Sequence, residues 1–114
     1  MNYIVKSNNI LFENGYSLDF EYPIKDTLLI SNIIIILIDP PFDTVYNQNI
    51  FAISLSGDFL WRIGNVKLYN DSNNCPYVGI IVNKSNELVL FNWCDTAVIV
   101  NSQTGDIINT YQTK

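Results

Sequence analysis

The sequence contains no histidine, and only six of its 114 residues are lysine or arginine. Histidine is the side chain that most readily takes and gives a proton near neutral pH, and without it serine and cysteine nucleophiles lose their commonest activator. An enzyme is therefore not expected, and no catalytic residue is assigned. Paired carboxylates are the remaining route to acid-base chemistry, but Asp39 and Asp43 flank a proline-rich loop and read as turn formers. Cysteine occurs twice, as Cys75 and Cys94. Two are too few for a disulfide framework, and with no histidine beside them no zinc site is expected. The run NDSNN at 70–74 offers oxygen ligands but lacks the glycine and the closing glutamate of a calcium loop. No metal and no cofactor is expected.

The shortage of positive charge also excludes partners. Eleven acidic residues against six basic ones leave a net charge of −5, which opposes docking on nucleic acid phosphates or on an anionic membrane face. The start MNYIVKSNNI has neither the basic residues nor the apolar stretch of an export signal, so the expected home is the reducing cytoplasm. In that setting the two cysteines are expected as free, partly buried thiols. The most apolar stretch, LLISNIIIILI at 28–38, is interrupted by Ser31 and Asn32 and falls short of the roughly 20 residues that a spanning helix needs.

What the chain does contain is strand. Hydrophobic residues make up 48% of it and charged residues 15%, enough apolar surface to offset the entropy of ordering one all-β domain across 1–114. Short β-branched and aromatic runs are punctuated by Asn, Ser, Gly and Asp, the signature of strands joined by tight turns. ILFENGYSLDFEY at 10–22 reads as a hairpin about Asn14-Gly15, suited to a type I′ turn. Ile33–Ile38 lacks alternation and is expected at the centre, buried on both faces. FAISLSGDFLWRI at 51–63 and AVIVNSQTGDIINTY at 97–111 repeat one hairpin phrase, with Gly57 and Gly105 placed for positive φ. In the first of these, Phe59, Trp61 and Ile63 are expected to oppose Phe51, Ile53 and Leu55. A meander runs from 77 to the end. About nine or ten antiparallel strands at this length imply a sandwich or a partly open barrel.

The phrases IFAISLSGDFLWRIG and AVIVNSQTGDI resemble the blade repeat of quinoprotein-type β-propellers, in which a strand, a TG turn and a strand ending near tryptophan recur. The chain is too short to supply a complete ring of blades. Its closing stretch, LVLFNWCDTAVIVNSQTGDIINTYQTK, is similar to small bacterial all-β proteins, some of them immunity proteins of toxin systems. That resemblance implies a stoichiometric binding function.

Charge and resemblance together point to a protein that binds a basic protein partner, such as a nuclease toxin, through its acidic surface. The expected contacts are Glu13, Asp19, Glu21, Asp39, Asp43 and Asp71, with Phe42 and Trp61 as aromatic contacts, because loops and strand faces carry binding groups and opposite charge speeds encounter. The alternative is an adaptor domain that offers a sheet edge or an aromatic patch.

Overall fold

A computed structural model describes residues 3–66, 68 and 75–113. Among these, all regular structure is strand, in three antiparallel sheets that follow one another along the chain. The first sheet holds β1 (Tyr3–Lys6), β2 (Asn9–Phe12) and β3 (Ser17–Asp19). The middle sheet holds β4 (Ile24–Ile30), β5 (Ile33–Ile38), β6 (Ile50–Ser54) and β7 (Phe59–Arg62). The third holds β8 (Tyr77–Val82), β9 (Leu88–Asn92), β10 (Thr96–Val100) and β11 (Ile107–Gln112). Each strand pairs with its predecessor within its sheet, and no sheet closes into a barrel.

The sheets stack face to face because β5 has no polar side. Its six residues are all buried, and strand pleating sends them alternately to opposite faces. Ile34, Ile36 and Ile38 pack with Ile10 and Phe12 of the first sheet. Ile33, Ile35 and Leu37 pack with Tyr77, Ile80, Leu88, Leu90, Val98 and Val100 of the third. The middle sheet is thus the shared wall of two cores, as the unbroken isoleucine run predicts.

Turn chemistry sets the register. Ser31 and Asn32 both have positive φ, 50° and 64°, and form the two-residue turn that pairs Ile30 with Ile33. The Asn14-Gly15 turn differs from the type I′ form expected. Only Gly15 has positive φ, the Gly15 N–H donates to the Phe12 carbonyl, and Phe12 N–H donates to the Tyr16 carbonyl. This makes a three-residue loop ending in a left-handed residue. Residues 54–58 repeat it, with Gly57 at the left-handed position, and 83–87 repeat it with Asn86 at φ 61°.

A bulge decides the fate of β7. The register shifts between Ala52 and Ile53, so that Trp61 lies opposite Ala52 while Phe59 lies opposite Ile53. The expected common face for Phe59, Trp61 and Ile63 is therefore broken, because one extra residue reverses the side on which later side chains emerge. Trp61 turns into the core shared with the third sheet, and Phe59 stays exposed on the other side.

Candidate functional site

Two clefts gather four of the eight residues expected to touch a partner, Asp39 and Phe42 in one and Asp19 and Glu21 in the other. The first lies at the end of the middle and third sheets where strands β4 and β8 begin. Proline terminates strands because it lacks an N–H donor, and Pro23, Pro40, Pro41 and Pro76 all fall at this end. They line an open cleft of about 770 Å³ with Lys25, Asp39, Phe42, Tyr77, Val78 and Trp93. Phe42 is 99% exposed and Trp93 68% exposed, two aromatic side chains that no core claims.

The base of this cleft is braced by side-chain amides. Asn49 is fully buried; its amide nitrogen donates to the carbonyls of Ile38 and Tyr77, and its amide oxygen accepts from Tyr77 N–H. One side chain thus imitates a ladder rung between the middle and third sheets. Asn92 does the same within the third sheet, donating to the Cys75 carbonyl and accepting from Cys94 N–H. Trp93 N–H donates to the Pro76 carbonyl. Cys75 and Cys94 are joined in a disulfide, their Cα atoms 5.6 Å apart, in place of the free thiols expected. Antiparallel pairing of β8 with β9 carries the residues just before β8 alongside the β9–β10 turn, which sets the two cysteines side by side.

Tyr77 is 3% exposed, and its hydroxyl has no hydrogen-bond partner among the described residues. Burial pushes its ionisation up to about 12, since an apolar surrounding disfavours the charged phenolate.

The second cleft runs between the outer edges of the first two sheets, along β3 and β7. About 490 Å³ is lined by Tyr16, Leu18, Phe20, Tyr46, Phe51, Ile53 and Phe59, and Asp19, Glu21 and Asp58 are also among the lining residues; the Asp19 carboxylate accepts from the Asn9 amide. Phe20 meets Phe51 edge-on at 5.4 Å, and Tyr22 meets Tyr46 edge-on at 4.9 Å. Arg62 lies over Tyr46 and Phe51, 5.1 and 4.7 Å from the ring centres, a cation held on aromatic faces. Burial raises the Tyr46 phenol above its ordinary value, with the Arg62 charge opposing and Glu21 reinforcing the shift. Burial and the Glu21 carboxylate raise Tyr22 likewise. This cleft combines apolar walls with acidic lining residues, a combination that accommodates the alkyl stem and charged tip of a lysine or arginine.

The expected residues thus divide between sites. Asp39 and Phe42 line the first cleft, and Asp43 is exposed on the same loop. Asp19 and Glu21 line the second. Glu13 stands apart, beside Asn14, Asn32, Leu55 and Ser56 in a shallow depression formed by turns. Asp71 lies outside the described residues. Trp61 is not available to a partner: it is 6% exposed, and its indole nitrogen donates to the Ser102 carbonyl at 2.8 Å. Its place as the exposed tryptophan is taken by Trp93. Asp58 and Phe59 are further cleft residues that sequence reasoning did not assign. The signal for Phe59 was the unbroken Phe59-Leu60-Trp61 run, which departs from alternation where a bulge sits.

No group of three or more metal-ligating side chains is present among the described residues. Among the described residues, no helix is long and apolar enough to cross a membrane.

The fold is thus a serial stack of antiparallel meanders with aromatic and acidic clefts at its margins. The chain belongs to the DUF7957 family, a domain of unknown function, which it matches over residues 1–112. No curated protein and no solved structure matches it significantly.

Proposed function

We propose that this domain is a stoichiometric protein-binding protein for a basic partner, and that its concrete role is that of a bacterial immunity protein covering a toxin such as a nuclease. The observation that carries this reading is the second cleft, where Asp19, Glu21 and Asp58 stand among aromatic walls. A basic side chain placed there gains carboxylate contacts and ring faces together. Capture from a lysate of the source cells, with mass spectrometry and kinetics on the recovered partner, tests it. The partner is expected to present a basic surface. Its association rate should fall severalfold between roughly 50 and 500 mM salt as the charges are screened. The triple variant Asp19→Asn, Glu21→Gln, Asp58→Asn should slow association at low salt and match the wild type at high salt. Tight binding indifferent to both changes rejects the electrostatic reading.

The first cleft favours the second reading, an adaptor that grips an apolar segment through Phe42 and Trp93. Under that reading Phe42→Ala with Trp93→Ala abolishes capture, while the acidic variants retain it.

The bonded cysteines favour an oxidising place of action over the cytoplasm suggested by the sequence. A thiol count on protein isolated without reductant and then denatured checks this. Two free thiols return the protein to a reducing compartment.

A further inference from the structure

Asn14-Gly15 closes the turn between β2 and β3, and it also joins the side chain and the backbone nitrogen that react with each other most readily. Asn14 is the one asparagine of the sequence that glycine follows. Every other asparagine precedes a residue whose side chain crowds the next peptide nitrogen, whereas at Gly15 even an added Cβ would meet no atom within 4 Å. Both residues are exposed. The Asn14 side-chain carbonyl accepts from Tyr16 N–H at 2.9 Å. That bond folds the side chain back along the peptide that carries the Gly15 nitrogen, and it draws electrons from the amide carbon. By contrast, the amides of Asn49 and Asn92 are buried and tied to backbone groups through both nitrogen and oxygen.

We propose that Asn14 is a site of self-modification, at which the side-chain amide is lost through a cyclic imide formed with Gly15. The Gly15 nitrogen gives up its proton and bonds to the Asn14 side-chain carbonyl carbon, and the side-chain nitrogen leaves with that proton as ammonia. Water then opens the ring at either carbonyl. Opening at the side-chain carbonyl leaves aspartate. Opening at the main-chain carbonyl leaves isoaspartate, in which the chain runs through the former side chain and the former main-chain carbonyl becomes a free carboxylate. Either product adds one negative charge to the net −5.

Isoaspartate also lengthens the main chain by one carbon, in a loop closed on both sides. Gly15 N–H donates to the Phe12 carbonyl and Phe12 N–H to the Tyr16 carbonyl, while the Tyr16 ring stacks on Phe12 and lies against Gly57. The longer chain cannot keep both bonds, so Tyr16 shifts from Gly57 and the wall that it gives to the second cleft opens. The conversion is independent of what that cleft binds. In the folded chain the Gly15 N–H must first leave the Phe12 carbonyl, so the rate follows the opening of this exposed turn.

Peptide mapping by mass spectrometry tests this on the whole chain, held folded in warm, mildly alkaline buffer and in parallel unfolded in urea. In the folded chain Asn14 should convert before any other asparagine, and in urea it should convert several times faster. Isoaspartate should be the larger product, because the main-chain carbonyl lies beside the electron-withdrawing peptide nitrogen. Gly15→Ala should slow conversion in urea by about tenfold, the added methyl crowding the attacking nitrogen, and Asn14→Gln should abolish the more acidic form on ion exchange. The separated isoaspartate form should unfold at lower urea than freshly prepared Asn14→Asp, which carries the same added charge at the original chain length. An Asn14 that keeps its amide in the folded chain while it converts in urea overturns the proposal, as does any other asparagine converting first. An isoaspartate form as stable as Asn14→Asp overturns the displacement of Tyr16.

Discussion

Gly57 and Gly105 show how one residue locks a sheet to its neighbour. Both have positive φ, 96° and 79°, and both lie against an aromatic ring of the preceding sheet. A Cβ added at Gly57 falls 2.5 Å from Tyr16, and one at Gly105 falls 2.6 Å from the Trp61 indole. Gly15 also has positive φ, but a Cβ there meets nothing within 4 Å. Gly15→Ala should therefore cost about 1 kcal/mol from backbone strain alone. Gly105→Ala carries the same strain plus overpacking and should cost about 3 kcal/mol. Urea midpoints of the two variants compare them directly, and equal losses reject the locking role. Tyr77 makes a second residue-scale case. Its hydroxyl is buried without a partner among the described residues, so Tyr77→Phe should raise stability by about 1 kcal/mol. The phenol keeps its proton in the folded state until about pH 12, whereas in the unfolded chain it ionises near its ordinary value of about 10. Stability from this group is complete below pH 10 and is lost as pH rises from 10 to 12, by on the order of 2 kcal/mol. Denaturation curves of wild type and Tyr77→Phe across that window should diverge, the wild type falling faster.

At the scale of elements, the joins between sheets rest on few groups. Asn49→Ala leaves the Tyr77 N–H and carbonyl without their side-chain partner at a fully buried site, and a loss of about 3 kcal/mol is expected from two or more buried groups left unpaired. Asn49→Asp should cost as much or more, since it removes the donor and buries charge. Reduction of Cys75–Cys94, which spans 19 residues of sequence, should cost about 3 kcal/mol through the freedom returned to the unfolded loop. Thermal melts with and without a phosphine reductant measure it. Strand existence was legible in the sequence because β-branched runs and turn residues are local signals: Ile33–Ile38 and the meander from 77 onward lie where the pattern put them. The short β1 escaped, since YIVK offers only four residues and its partner is set by the Ser7-Asn8 turn. The bulge in β7 escaped as well, and with it the inward turn of Trp61. Alternation fixes a face only where the ladder is regular, and one inserted residue depends on packing that no local window contains.

At the scale of the molecule, the candidate site was legible in its ingredients and hidden in its arrangement. Acidic residues and exposed aromatics could be named individually, but that Asp19, Glu21 and Asp58 line one cleft depends on how the first sheet lies over the second. Trp93 emerged as the exposed tryptophan for the same reason, because β9 ends at the cleft while β7 turns its indole inward. The stack also implies a gradient of protection. Amides of β5, paired with β4 and β6 and covered on both faces, should exchange with solvent only on global unfolding, while those of β1, β3 and β11 exchange earlier. Hydrogen exchange by mass spectrometry checks the order, and early exchange of Ile34–Leu37 contradicts a central β5.

The doubly buried strand has a consequence for how the chain is made. Six consecutive uncharged aliphatic residues of high strand propensity form a segment prone to pair with copies of itself whenever it is uncovered. As the ribosome extends the chain, β5 emerges before β6, and one of its faces waits for the third sheet, whose strands begin only at residue 77. The newborn chain therefore carries a sticky strand from the emergence of β5 until β8, β9 and β10 follow it, and its yield in cells depends on how quickly that meander arrives to cover it.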